Sequence, residues 1–348
     1  MKIIHGMSEV AGQGINTVKG LRANGYDAVM AVWQKNKLAD APDFDLGVNK
    51  SKKYLLPVYA IKMATFAFNA MRKYDLVHVH FGNSLFPFGL DTFFYRLFKI
   101  KCFAEFHGSD IRFLFAPEYK YPYLQNENCD QDRKREKSRK IRLIKRAEGV
   151  ILHDHELIPH LPDTETPLFI VPLRVDVNSI ETAYPSLKKE HKPIIVHSPS
   201  KRSGKGTEQI LKELEKVKGE FQLVLVENKS HNEAMEIYRC ADIIIDQVSV
   251  GTYGVFAIEA MAMGKPVITY ISPEMKEQLP ESLPIISADF DELSDVVEHL
   301  IADPASRYEI GLKSRAYVER YHDNVKVAKC LYEVYDGTVK ERNLFKVL

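Results

Sequence analysis

The sequence predicts an α/β protein with two doubly wound domains, each built on a parallel sheet. Short apolar runs alternate with helical patterns along nearly the whole chain, and this alternation is typical of β-α-β units. The 348 residues fit two domains of ordinary size. A polar stretch around Pro185 separates the two series of apolar runs and predicts a domain boundary there.

The first half opens with a β-α-β unit. A strand is predicted at Lys2–His5, and after the turn Gly12-Gln13-Gly14 the residues Ile15, Val18 and Leu21 mark one face of a helix. Further strands are predicted at Asp27–Trp33, Leu76–His80, Lys101–Phe106, Gly149–His153 and Leu168–Val171. Their continuous apolar character suits a parallel sheet that is buried on both faces.

The alternation begins again after residue 192. Strands are predicted at Pro193–His197, Gln222–Glu227, Asp242–Gln247 and Pro266–Tyr270, with helices at Thr207–Val217, Asn232–Cys240 and Phe256–Met263. We therefore predict an N-terminal domain over residues 1–172, a linker over 173–191 and a second domain over 192–322. The segment 323–348 is predicted as a C-terminal helix that packs on the first domain.

The composition excludes several classes of protein. With 45% hydrophobic and 27% charged residues, the chain has enough apolar material to fold. Lys and Arg number 48 and Asp and Glu 47, so the net charge of +1 gives no overall attraction to nucleic acid or to a membrane. Four widely spaced cysteines indicate reduced thiols, and the chain starts as a strand without a secretory signal. We therefore expect a cytoplasmic protein.

The most specific motif is the run Gly251–Ile268. Glycines precede a predicted helix that carries a carboxylate about one turn in. Free N–H groups at the helix start, around Val255 and Phe256, form an anion site, and Gly254 lets a ligand approach the backbone closely. Glu259 is an acceptor for two hydroxyls of a ribose. The alternative is a well-capped helix with a surface glutamate.

A second motif, Ser198–Thr207, follows a strand and opens a helix. Ligands of α/β sheets bind at this carboxyl edge. Arg202 and Lys205 put two cations beside glycine backbone, which suits a pyrophosphate. The spacing is not that of a Walker loop, and a solvated basic turn is the alternative.

A third motif follows the predicted strand Lys101–Phe106. We expect His107 at the strand end, where an imidazole can donate to a sugar hydroxyl or stabilise developing charge. A structural hydrogen-bonding role is the alternative. Asp110 is a candidate helix N-cap.

These three motifs, in this order, resemble glycosyltransferase family 4, a retaining family with the GT-B fold. In that fold two Rossmann-like domains face a central cleft. The resemblance covers nearly the whole chain and includes Val171–Asp176, which is similar to the family's interdomain segment. It implies the catalytic residues His107, Arg202, Lys205 and Glu259, and the donor-binding residues Gly12, Gly14, Arg202, Lys205, Gly254, Val255, Phe256 and Glu259.

The resemblance also implies a role for each residue. Glu259 contacts the nucleotide ribose, Arg202 and Lys205 hold the diphosphate, and His107 contacts the donor sugar. The first glycine loop lies at the cleft for donor and acceptor. Because cations and a helix start stabilise the leaving diphosphate, the reaction needs no metal and no cofactor beyond the nucleotide-sugar co-substrate, whose base stays open. The strings Asp43–Asp45 and Asp289–Asp291 are expected as surface acids in loops.

Two positions depart from the family's pattern. A second glutamate usually stands eight positions before the ribose-binding one, and here that position is Gly251. The nearest upstream carboxylate is Asp246. The family's arginine usually stands five positions before its lysine, where this chain has Ser200, so Arg202 replaces it by proximity only. The first departure leaves the donor sugar open.

A basic run at Arg133–Arg146 contains nine Lys or Arg residues and one Glu. It predicts either a solvated helix or a patch that associates with the inner membrane face. The aromatic stretch Phe81–Phe98 suits either the neighbourhood of a lipid-linked acceptor or a core. No nucleic acid is expected as a partner, because no recognised binding module accompanies these charges.

The sequence thus predicts a retaining, metal-independent hexosyltransferase-type enzyme. It moves a sugar from a nucleotide-sugar to a glycan or lipid-linked acceptor, in the synthesis of bacterial surface polysaccharide or glycoconjugates. The alternatives are a non-catalytic sugar-nucleotide-binding or scaffold subunit, an epimerase or phosphorylase on the same fold, and a protein that binds its partner through the basic patch.

Overall fold

Two parallel sheets organise the chain in the computed structural model, which describes residues 1–35, 41–49, 51–112, 114–115 and 134–348. The elements form two units. One contains the described residues of 1–115, 134–174 and 324–348, and the other contains residues 175–323. We call them unit 1 and unit 2. Cys129 and Arg133 lie outside the described residues.

Unit 1 is built on a parallel sheet. Up to residue 174 its elements are β1 (Lys2–Gly6), α1 (Gln13–Ala23), β2 (Asp27–Val32), β3 (Phe44–Asp45), α2 (Leu56–Lys73), β4 (Leu76–His80), β5 (Lys101–Glu105), α3 (Lys134–Ile144), β6 (Gly149–Leu152) and β7 (Leu168–Ile170). In the described part of the chain, seven strands pair in the order β3-β2-β1-β4-β5-β6-β7. The carboxyl ends of β1, β4, β5 and β6 therefore lie side by side.

Unit 2 repeats this plan with a smaller sheet. Its elements are β8 (Ile194–His197), α4 (Arg202–Lys205), α5 (Thr207–Leu214), β9 (Gln222–Leu225), α6 (His231–Arg239), β10 (Ile243–Ile245), α7 (Val255–Ala262), β11 (Val267–Thr269), α8 (Pro273–Lys276), β12 (Ile286–Ser287), α9 (Leu293–Ala302) and α10 (Pro304–Tyr321). The strand order is β12-β11-β10-β8-β9. Helix α11 (Asn324–Asp336) follows and belongs to unit 1.

The observed strands reproduce the predicted parallel-sheet architecture. Several other elements differ from those that the sequence predicts. The apolar stretch from Tyr54 to Met71 forms most of α2, whose first turn contains Pro57. The string Asp43–Asp45, expected in a loop, contributes to β3, because the Asp43 carboxylate accepts from Met30 N and pairs with Arg22. Residues 175–191, predicted as most of a linker, belong to unit 2. There the Asp242 carboxylate holds His191 and Ser186 N.

Helix α11 completes the core of unit 1. Its residues Val327 and Leu331 are fully buried in one cluster with Ile15, Val18 and Leu21 of α1. Beside this cluster the rings of Tyr26 and Tyr332 stack with their centroids 3.6 Å apart. Burial of such side chains stabilises a fold by about 1.5–3 kcal/mol each. The chain end therefore packs in unit 1.

The contact of α1 with α11 requires a glycine. A Cβ at Gly20 would lie 2.1 Å from the backbone oxygen of Asn324 and 2.8 Å from the Ala328 Cβ. Backbone oxygens cannot swing away as a flexible side chain can, so the helices would have to separate. The small residue thus sets the distance between the two helices.

We expect Gly20→Ala to destabilise the protein by about 1–3 kcal/mol or more, although alanine is the better helix former. Chemical denaturation of the variant and of the wild type measures this difference. Lys329→Ala, at an exposed position of α11, is the matched control and should change stability by less than about 0.5 kcal/mol. A Gly20→Ala protein as stable as the wild type would contradict the packing argument.

Candidate functional site

One buried carboxylate in unit 2 joins two of the predicted motifs. Asp246 directly follows β10 and is fully buried. Its Oδ1 accepts from Lys205 Nζ at 2.6 Å, and its Oδ2 accepts from Gly254 N at 3.3 Å. Lys205 also donates to Gln247 Oε1 at 2.9 Å. The lysine of the basic loop and the start of the glycine-led helix therefore lie on either side of one carboxylate.

Helix α7 begins openly. Gly254 is extended at its N-terminus, and no side chain caps the first turn. The N–H groups of the first turn, which include those of Val255 and Phe256, therefore carry the partial positive charge of the helix end. A Cβ at Gly254 would lie 3.8 Å from both Lys205 Nζ and Asp246 Oδ2, which are ordinary van der Waals distances. An added methyl at this position would nevertheless occupy space in front of the lysine.

Glu259 lies on α7 and is largely buried. Its Oε1 is 2.8 Å from Nε2 of His231, the first residue of α6, whose ring is half exposed. His231 was not among the residues predicted from the sequence, because no motif contains it. The pair leaves Glu259 an acceptor that a ligand hydroxyl can reach by displacing an exposed imidazole.

Arg202 is held by acidic side chains rather than by Asp246. Its Nε donates to Glu208 Oε1 at 2.8 Å, and its Nη1 lies 3.1 Å from Glu227 Oε1. These two carboxylates raise the pKa of Arg202 above its ordinary value. Both ion pairs are at the surface, where such pairs are weak, so an incoming phosphate can compete for the guanidinium.

In unit 1, the Glu9 side chain lies at the glycine loop where α1 begins. Oε2 of Glu9 accepts from Ile15 N, in the first turn of α1, at 2.9 Å. A Cβ at Gly14 would lie 2.8 Å from Glu9 Oε2 and from Met30 Cε. Gly12 has φ +77° at the start of the helix. These glycines thus permit a tight turn and close packing around Glu9, and the place of an anion at this helix start is taken by that carboxylate.

His107 lies in unit 1 with both ring nitrogens engaged. Its Nε2 is 3.1 Å from His80 Nδ1, and its Nδ1 is 2.9 Å from His153 Nε2. Burial lowers the pKa of His107, so the ring is neutral at pH 7. Asp110 accepts from the backbone N–H of His107 and of Gly108, both at 3.0 Å, and so holds the turn that positions the ring.

The two predicted Asp strings have structural partners. Asp45 accepts from Gly47 N, and Asp289 accepts from Asp291 N and Glu292 N just before α9. Among the described residues, ligand atoms of three histidines or acids approach one another in His5, His78 and His80, and in His80, Glu105 and His107. Both groups belong to the interior of unit 1 and were not predicted.

Residues 178–317 match the family model described as glycosyl transferases group 1. No curated protein matches the chain. Solved structures do match. Sucrose-phosphate synthase from Thermosynechococcus elongatus is 16% identical, with a TM-score of 0.70 over 97% of this chain and 99% of that one. A Rickettsia africae glycosyltransferase is also 16% identical, with a TM-score of 0.64 over 98% and 99%.

A third structure is similar over a comparable length. The Anabaena protein HepE, in complex with UDP-glucose, is 15% identical, with a TM-score of 0.64 over 97% of this chain and 100% of that one. The chain therefore has the predicted α/β architecture of two parallel-sheet domains, the GT-B fold of glycosyltransferases. Among the described helices, none has the length and apolar character that a membrane crossing requires.

Glu9 should make stability depend on pH between about 4.5 and 7. Burial raises the pKa of Glu9 from 4.5 to about 7, against the lowering effect of the backbone N–H groups it accepts from. Below pH 4.5 the carboxyl is protonated in both states. As the pH rises, the unfolded chain ionises first, so stability falls by about 3 kcal/mol up to pH 7 and then stays level.

We expect Glu9→Gln to remove this loss, because the amide oxygen still accepts from Ile15 N and carries no charge. The measurement is the difference in unfolding free energy between variant and wild type at pH 4.5, 5.5, 6.5 and 7.5. The exposed Glu148→Gln serves as the control and should follow the wild type. A difference that does not grow with pH would contradict the prediction.

Proposed function

We propose that this protein is a retaining glycosyltransferase of family 4 that moves a sugar from a nucleotide-sugar to a glycan or lipid-linked acceptor. The observation that carries the proposal is the convergence of Lys205, the open start of α7 and Glu259 in unit 2. The match of residues 178–317 to glycosyl transferases group 1 supports it. HepE, a protein of similar fold, is described in complex with UDP-glucose, which favours a donor of the same kind.

The geometry suggests how the donor is held. Glu259 on α7 would take two ribose hydroxyls, at the cost of its contact with the exposed His231. The diphosphate would lie at the start of α7, beside Lys205, where N–H groups and a cation meet. Arg202 would leave its surface partners to add a second cation. Fixed donors of this kind stabilise charge that develops on a leaving group by roughly 2.7–4 kcal/mol each.

Asp246 bears directly on affinity. It pairs with Lys205 and accepts from Gly254 N, so a diphosphate must compete with a buried carboxylate for both donors. This arrangement holds the lysine in one position before the ligand arrives. It also weakens the binding of the free diphosphate, which helps product release.

We expect a nucleoside diphosphate to stabilise the protein against heat. A ligand at one hundred times its dissociation constant adds about 2.7 kcal/mol, and a panel of UDP, GDP, ADP, CDP and dTDP identifies the base. Lys205→Gln and Glu259→Gln should weaken binding of the preferred diphosphate at least tenfold, because each removes a charged partner of the ligand. Lys212→Ala, at an exposed position of α5, is the matched control and should bind normally.

Equal stabilisation of all four proteins would contradict the proposed site. Transfer from the corresponding nucleotide-sugar is then followed with and without excess chelator, and activity should persist, since the proposal assigns leaving-group stabilisation to Lys205 and α7. A protein that binds the diphosphate but neither transfers nor hydrolyses any donor would instead be a sugar-nucleotide-binding scaffold. That second candidate is favoured by Gly251, which stands where the family's other glutamate is expected.

The acceptor side of the proposal includes a membrane surface. In unit 1, large apolar side chains lie exposed on α2 and in the segment before β5, among them Ile61, Phe88, Phe93 and Leu97. The basic helix α3 is next to them, since its Arg139 and Arg142 line a surface pocket together with Phe88. Two residues after the helix, the Arg146 guanidinium lies 3.9 Å from the centre of the Phe93 ring. Exposed aromatic and leucine side chains beside lysine and arginine are typical of a surface that inserts shallowly into anionic lipid.

We expect the protein to bind vesicles that contain anionic phospholipid and to bind neutral vesicles much more weakly. Replacing Phe93 and Leu97 together by serine should reduce binding at least tenfold, because less apolar area enters the interface. Leu187→Ser, at an exposed leucine of unit 2, is the control and should bind as the wild type does. Co-sedimentation measures the bound fraction, and equal binding of all three proteins would contradict the assignment of this surface.

A further inference from the structure

Four imidazoles form a continuous row across the sheet of unit 1. They belong to His5 on β1, His80 on β4, His107 just after β5 and His153 just after β6, four neighbouring strands. Each ring meets the next in the same sense. The Nδ1 of one lies near the Nε2 of the next at 3.0 Å, 3.1 Å and 2.9 Å in turn. We call these four side chains the histidine row.

The row has only two neutral states. A neutral imidazole carries one N–H, and a nitrogen that accepts from a neighbour must lack a proton. If His80 carries its proton on Nδ1, then its Nε2 accepts, so His5 must also carry its proton on Nδ1. The same reasoning extends to His107 and His153. All four rings are therefore Nδ1–H, or all four are Nε2–H.

A buried carboxylate breaks this symmetry. Glu105, at the end of β5, is fully buried, and its Oε2 lies 3.4 Å from His80 Nδ1 while its Oε1 lies 3.5 Å from His153 Nδ1. Arg174 donates to both carboxylate oxygens at 2.6 Å. This guanidinium keeps the pKa of Glu105 well below its usual range, so the carboxylate is charged. A negative oxygen beside Nδ1 favours a proton on that nitrogen and disfavours a lone pair.

We propose that Glu105 is a positioning residue whose buried carboxylate fixes the Nδ1–H tautomer of all four imidazoles of the histidine row. The proton of His107 is then committed to His153, and its Nε2 is an acceptor held by His80. A ligand hydroxyl that reaches His107 meets a ring without a free N–H. This inference does not depend on the proposed glycosyl transfer.

Metal binding is the competing explanation, and the geometry favours hydrogen bonds. The rings of His5, His78 and His80 are stacked or tilted, with centroids 4.5–5.3 Å apart. The facing nitrogens of His5 and His80 already hydrogen-bond to each other. In the other group, Arg174 already neutralises the negative charge of Glu105. The positive charge of an added divalent ion would therefore stay uncompensated in a buried place.

Burial keeps the row neutral, although the carboxylates of Glu105 and Asp110 favour the charged imidazolium. His78 Nε2 lies 2.8 Å from Glu105 Oε2, its Nδ1 meets the Tyr335 hydroxyl of α11, and Asp110 lies beside His107. Burial is the main cause that lowers the pKa of each histidine in the row. Tautomers can therefore be measured at neutral to mildly alkaline pH without interference from imidazolium.

The test is long-range ¹H–¹⁵N correlation on the full chain labelled with ¹⁵N-histidine, at pH 8, with signals assigned by single His→Gln variants. We expect His5, His80, His107 and His153 to be protonated on Nδ1. In Glu105→Gln the negative charge is lost and one oxygen beside the rings becomes an N–H₂ donor, which favours a lone pair on the Nδ1 that it faces. All four rings should therefore change together to Nε2–H. Glu156→Gln, at a buried carboxylate paired with Arg112 outside the row, is the control and should leave all four unchanged.

Three results would overturn the proposal. One is an Nε2–H ring anywhere in the wild-type row, which decides the matter even if Glu105→Gln does not fold. Another is a Glu105→Gln protein whose four tautomers match the wild type. The third is a stoichiometric divalent metal, found by elemental analysis of the purified protein, whose removal by chelator shifts the histidine signals.

Discussion

The buried ion pair of Glu105 and Arg174 is the interaction on which the interior of unit 1 depends. Both side chains are fully buried, and the guanidinium also donates to the Thr17 hydroxyl of α1. Removing two charges from water costs several kcal/mol per ion, and only close pairing with further hydrogen bonds offsets this cost. The pair therefore has to form together with β5, α1 and the chain after β7. Its place at the carboxyl edge explains why so many polar side chains can gather inside an otherwise apolar sheet.

Unit 2 uses a single carboxylate in a related way. Asp246 accepts hydrogen bonds from Lys205 Nζ and from Gly254 N, the amide just before α7. It thus links three segments that are distant in sequence. The carboxylate in unit 1 is shielded by a guanidinium and surrounded by rings. In unit 2 it meets a lysine that is partly exposed and a helix start that no side chain caps. The first arrangement is closed to ligands by its own contacts, whereas the second offers donors that an anion can compete for.

The strands and the site helix were predictable from the sequence because their signals are local. Apolar runs predict β1, β4 and β5 to within one residue, and the glycines before α7 mark its start. The contacts that set the chemistry are not local. Glu9 accepts from Ile15 N across a loop, and His231 contacts Glu259 from another helix. The alignment of the four histidines depends on the order of the strands in the sheet. The pairing of His5 with His78, and of His80 with Glu105, follows from sheet register, which no single segment encodes.

One residue, Lys140, sets which way the positive side chains of helix α3 face. Lys140 is almost completely buried, donates to the backbone oxygen of Asp110 and lies over the rings of Phe81 and Phe106. Each residue advances an α-helix by about 100°, so fixing one side chain inward fixes the rotation of the whole helix about its axis. A counted total of positive residues is thus a poor measure of this surface. Inserting one residue before Lys140 would keep every charge and turn the outward arc of cations away from its present neighbours.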